Sequence, residues 1–105
     1  MEGVCNISRM SDKLIVEIGC ELDHHSAGRV REAVDRKIFE DYPRELVLDF
    51  SRVGFMDSSG IALIIGRAEL MRQNGGRTVL RGLGATQRKL VRLSGLDRAQ
   101  GVTVE

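Results

Sequence analysis

A chain of 105 residues amounts to about one domain and can bury roughly two thirds of its unfolded surface, enough for a core without disulfide or metal staples. Lys plus Arg number 16 against 15 Asp plus Glu, a formal net charge of +1, and there are three phenylalanines, one tyrosine and no tryptophan. No global field therefore draws in nucleic acid or an anionic membrane, and stacking platforms for single strands are scarce.

The segment Met1-Glu2-Gly3-Val4-Cys5 lacks the basic and long apolar stretches of a signal peptide, and no run approaches the ~18 apolar residues of a membrane span. A cytoplasmic protein is expected, with no nucleic-acid or membrane partner. Asn6 to Met10 and Leu14 to Gly19 read as two strands, the second alternating Leu14, Val16 and Ile18 inward, with Ser11-Asp12-Lys13 as the turn of a hairpin. From Ser26 to about Glu40, Ala27, Val30, Val34 and Ile38 recur at helical spacing, and Pro43 ends that helix. Leu46-Val47-Leu48 with Phe50 is a short continuous apolar run, as in a central strand covered on both faces.

The next helix begins near Ser58, with Ile61, Ile64, Ile65, Ala68 and Met71 as its inward stripe and Leu63 and Leu70 off it, and Gly75-Gly76 supply a left-handed stop. Thr78 to Arg81 is a further strand, Thr86 caps a shorter helix through about Leu93, and Val102-Thr103-Val104 is a last strand. The order ββαβαβαβ predicts an α/β fold: a mostly parallel sheet entered through one antiparallel hairpin, with helices packed on it and residues 1–105 forming a single domain.

Most catalytic chemistry lacks its pattern. Gly54, Gly60 and Gly66 precede no Gly-Lys-Ser/Thr ending, and Met56 stands where a nucleophile elbow around Ser58 needs glycine. His24-His25 beside Asp23 has no third spaced ligand, so the pair reads as a polar loop before a helix and no metal site is expected. Cys5 and Cys20 approach one another if their flanking strands pair, and are expected to stay thiols in a reducing compartment.

Phe55-Met56-Asp57-Ser58-Ser59-Gly60-Ile61 places acidic and hydroxyl residues where a helix starts, leaving a serine at the positive end of a peptide dipole. If Asp57 is the N-cap, Ser58 and Ser59 occupy the first turn and Met56 packs on Ile61; if Ser58 is the cap, its hydroxyl holds a backbone amide instead.

Together with Glu21-Leu22-Asp23-His24-His25-Ser26-Ala27, this segment resembles the two signature segments of the bacterial anti-sigma factor antagonists, which are STAS-domain proteins, with most likeness to the sporulation branch that controls the forespore sigma factor. Ile65-Gly66-Arg67, Gly75-Gly76 and Leu93-Ser94-Gly95-Leu96 extend the likeness over nearly the whole chain. The resemblance implies that Ser58 is phosphorylated by the anti-sigma factor, itself a serine kinase that consumes ATP, and that a serine phosphatase reverses the mark. It implies a partner surface at Asp23, Asp57, Ser59, Gly60 and Ile61, a monomer when alone, no cofactor and no catalytic residue of the chain's own.

A phosphoryl group adds about −1.5 to −2 charge, which a helix N-terminus tolerates but a closing interface must desolvate, so the switch is expected at the surface with the fold preserved. A ligand- or nucleotide-sensing STAS module, or an antagonist in a general stress sigma pathway, are the alternative readings. Cys20 stands where these antagonists commonly carry glycine, and the chain stops at Glu105 where relatives often continue into another helix.

Overall fold

In the computed structural model, residues 4–105 are described, so Met1, Glu2 and Gly3 of the amino-terminal segment lie outside the described residues. The elements run β1 (Cys5–Met10), β2 (Lys13–Ile18), α1 (His24–Asp41), β3 (Glu45–Asp49), α2 (Ser58–Gln73), β4 (Arg77–Arg81), α3 (Ala85–Ser94), a 3-10 turn at Leu96–Arg98, and β5 (Val102–Val104). This is the expected ββαβαβαβ order. The sheet reads β1-β2-β3-β4-β5, with β1 antiparallel to β2 and every other neighbour parallel.

Alternation along the strands decides which side is dry. Leu14, Val16 and Ile18 of β2 line up with Leu46 and Leu48 of β3 and Leu80 of β4, and this face packs on Val30, Val34 and Ile38 of α1, Leu63, Ile64 and Met71 of α2, and Val91 of α3. Each such buried aliphatic side chain contributes roughly 1.5–3 kcal/mol. β3 is buried on both faces, as expected of a central strand, although α1, α2 and α3 all join the core on one of them. The opposite face carries Val47 and Val79, buried outside that core and flanked by a charged row in which Glu45 bonds Arg77 Nε at 2.8 Å and lies 3.5 Å from Lys13 Nζ.

Several boundaries differ from the sequence reading, each for a local reason. α1 starts at His24 instead of Ser26, because Asp23 is the N-cap and Ser26 its reciprocal partner, so His24 and His25 are first-turn helical residues and not a loop. α2 buries Gly60, Leu63, Ile64, Arg67 and Met71. Ile65, expected on the inward stripe, is exposed, whereas Leu63, expected off it, is in the core. This helix is apolar on more than one side, so tertiary packing chose the face. The cap of α3 is Gly84 and not Thr86, with the Gln87 Oε1 accepting from the Gly84 amide at 2.9 Å. Gly75 takes the left-handed φ of +81° that stops α2, as expected.

Among the described residues no helix is long and apolar enough to cross a membrane, and no group of three His, Cys, Asp or Glu is placed to hold a metal ion.

Candidate functional site

Because β2 and β3 are parallel, the loops that follow them leave the same edge of the sheet, and the amino ends of α1 and α2 open on one rim. A parallel bridge between Leu22 and Met56 ties the two loops together. The Leu22 amide donates to the Phe55 carbonyl at 2.9 Å, and the Asp57 amide donates to the Leu22 carbonyl at 3.2 Å. Both bridging side chains are buried, which leaves the next residue of each loop, Asp23 and Asp57, as the N-cap of its helix. The two signature segments therefore converge.

Asp23 Oδ1 accepts from the Ser26 amide at 2.9 Å, and Ser26 Oγ accepts from the Asp23 amide at 3.1 Å. Those bonds, the backbone amide of Ser26 first, hold the Asp23 carboxyl below the usual carboxylate range. Asp57 Oδ1 accepts from the Ser59 amide at 2.8 Å, so Asp57 is the cap and Ser58 the first helical residue. Ser58 is exposed, and its hydroxyl enters no hydrogen bond among the described residues. Ser59 is half-buried and faces a groove of about 460 Å³ between α1 and α2, with His24 across it.

Gly60 lies beneath the rim. A Cβ there would fall on the Met56 side chain, so glycine is what lets Met56 fold inward over the first turn of α2. Ile61 is half-buried against the core, while Phe55 is exposed beside the rim. Asp23, Asp57 and Ser58 thus reach the surface, Ser59 faces the groove, and Gly60 acts from below.

Cys20 precedes the rim by three residues, and Cys5 sits on the neighbouring strand opposite Ile18. Both are free thiols. Burial raises the pKa of each, and the nearby Cys20 raises that of Cys5 further.

Sequence reasoning missed the brace behind the rim. Gln87 of α3 is buried, and its Nε2 donates to the Val53 carbonyl at 2.6 Å, fixing the loop that runs from β3 to Asp57. The available signal was a glutamine three residues after Gly84, the second half of a capping arrangement. It also missed Arg67, a buried arginine whose Nε lies 2.7 Å from Asp35 Oδ1 of α1.

Residues 5–104 match the STAS domain model. The chain belongs to the STAS domain family. This STAS domain is 37% identical over 83 residues to an anti-sigma F factor antagonist of Paenibacillus polymyxa, spanning 79% of this chain and 71% of that one. Its fold matches the structure of the anti-sigma factor antagonist SpoIIAA in its unphosphorylated form with a TM-score of 0.82 at 28% identity, covering 96% of this chain and 87% of that one. Against the Bacillus cell fate determinant SpoIIAA in its phosphorylated form the TM-score is 0.76, again at 28% identity, covering 96% and 90%. The rim built by Leu22, Met56 and the two capping aspartates is thus a feature of a STAS domain whose relatives are named as antagonists.

Proposed function

We propose that the chain is an anti-sigma factor antagonist of the F type, a cytoplasmic protein-binding switch with no cofactor and no catalytic centre of its own. The observation that carries this reading is the Ser58 hydroxyl, exposed at the first position of α2 and flanked by the caps Asp57 and, through the Leu22–Met56 bridge, Asp23. In its unmodified form the rim docks on an anti-sigma factor that is also a serine kinase, and the sigma factor is released. The kinase transfers a phosphoryl group from ATP to Ser58, and a serine phosphatase removes it.

Physical chemistry gives the switch its direction. At the first position of α2, the Ser58 amide and the helix dipole receive the added anion, while the next amide is already bonded to Asp57. The fold has no reason to change, which agrees with the likeness of this chain to SpoIIAA in both forms. At the interface the same dianion joins Asp57 and must shed water under a partner, and a penalty of about 3 kcal/mol lowers affinity roughly a hundredfold. Ser58 is the acceptor in preference to Ser59, which is half-buried and turned to the groove.

Incubation with the anti-sigma kinase and ATP, followed by mass spectrometry of the modified peptide, tests the assignment. Ser58→Ala is expected to fold, bind the kinase and accept no phosphate, and Ser58→Asp to bind more weakly. Phosphate on another residue, or parental affinity for Ser58→Asp, refutes it.

A further inference from the structure

The groove beside Ser59 is built from facing sides of α1 and α2, and its floor consists of Ala27 and Gly28 from the first and Ala62 and Gly66 from the second. Glycine inside a helix costs about 0.5–1 kcal/mol relative to alanine. Neither Gly28 nor Gly66 has a left-handed φ, and a Cβ built on either meets nothing within 4 Å. Packing within the chain therefore does not require them. They keep a space open that the chain itself does not fill.

Two guanidinium groups line that space, Arg31 exposed and Arg67 with only 8% of its surface accessible. Arg67 Nε faces Asp35, and Nη1 makes a long 3.5 Å contact with the Leu63 carbonyl. Among the described residues Nη2 has no hydrogen-bond partner. The Arg67 pKa is lowered, by burial first and also by the Arg31 charge, against the opposing effect of Asp35. Asp35 pairs with Arg67, and Arg31, which lines the same groove, has no ion pair among the described residues. Such a cluster is short of one negative charge.

We propose that this groove receives a carboxylate side chain of the protein partner, its stem on the alanine and glycine floor and its oxygens between Arg31 and the unpaired edge of Arg67. The inference rests on the antagonist reading above, and it deepens that reading by giving the partner's chemistry at this point. A planar carboxylate matches the edge of a guanidinium, and the apolar floor suits a methylene stem. The rim then presents opposite signs side by side, acidic at Asp23 and Asp57 and basic in the groove, which fixes the orientation of docking.

Calorimetric titration of the anti-sigma kinase with three proteins tests it: the parent, Arg31→Glu, and Gly66→Leu. Arg31 is exposed and Gly66 has open space, so both variants are expected to melt at or above the parental temperature. Each is expected to bind about tenfold more weakly, the first with a flatter salt dependence. If the parent binds and either variant stays within about twofold of it, the groove proposal is overturned and the antagonist reading stands. If the parent does not bind, the antagonist reading falls and this proposal with it.

Discussion

Replacing Gly60 by alanine puts a methyl group where the Met56 thioether already sits: a Cβ there falls 2.6 Å from Sδ and closer still to Cγ, with Leu22 Cβ at 3.5 Å. Met56 is 5% exposed and lies beside the fully buried Leu22, so it cannot swing aside without leaving a void under the rim. Overpacking of this kind costs about 1–3 kcal/mol, and the gain in helix propensity, at most about 1 kcal/mol and smaller in a first turn, offsets only part of it. A net loss of about 1–2 kcal/mol lowers the melting temperature of a domain this size by roughly 4–8 °C. Scanning calorimetry of Gly60→Ala, Met56→Ala and the double variant separates the contact from other effects. Met56→Ala alone is destabilising, but adding Gly60→Ala to it is expected to cost nothing, because the colliding atoms are gone. A parental melting temperature for Gly60→Ala, or an equal loss in both backgrounds, refutes the account of why glycine stands there.

Three other outcomes follow from individual buried or capping groups. Thr78 is fully buried with an unpartnered hydroxyl, so Thr78→Val is expected to raise stability by about 1 kcal/mol, read as a higher midpoint in urea. Gln87→Leu strands the Val53 carbonyl and the Gly84 amide at a cost of about 2 kcal/mol, and amide exchange in residues 51–57 is expected to quicken more than in β3. The Asp23 carboxyl is held below its ordinary value of 3.8, so its capping contribution is complete above that pH and is lost as pH falls through the lowered folded value. Thermal melts of the parent and Asp23→Ala down that range are expected to converge as the acid protonates; curves that stay parallel refute the cap.

The element order was legible because each strand and helix carries its own period, and Pro43 and Gly75 mark their ends chemically. The start of α1 was misread because Ser26, a good cap in isolation, is the second half of a capping box whose first half is Asp23. The inward side of α2 was not legible from periodicity. Its choice rests on contacts outside the helix itself: Met56 of the preceding loop lying against Gly60, and Asp35 of α1 drawing Arg67 inward. Ser58, Asp57 and Asp23 were singled out from local pattern and resemblance, yet the Leu22–Met56 bridge that brings their loops together is made of backbone bonds from Leu22 to Phe55 and Asp57, which no side-chain pattern announces. The choice between Asp57 and Ser58 as cap needed the 2.8 Å bond from the Ser59 amide.

The Ser58 hydroxyl takes no part in the hydrogen bonds that hold α2 together, and the residue is exposed on the first turn. An enzyme that adds or removes a group there works on the native molecule and waits for no local melting. Under the proposed switch, the lifetime of a phosphoryl group on Ser58 would be set by the enzymes that add and remove it, and mutations that make the domain sturdier would leave that tempo untouched.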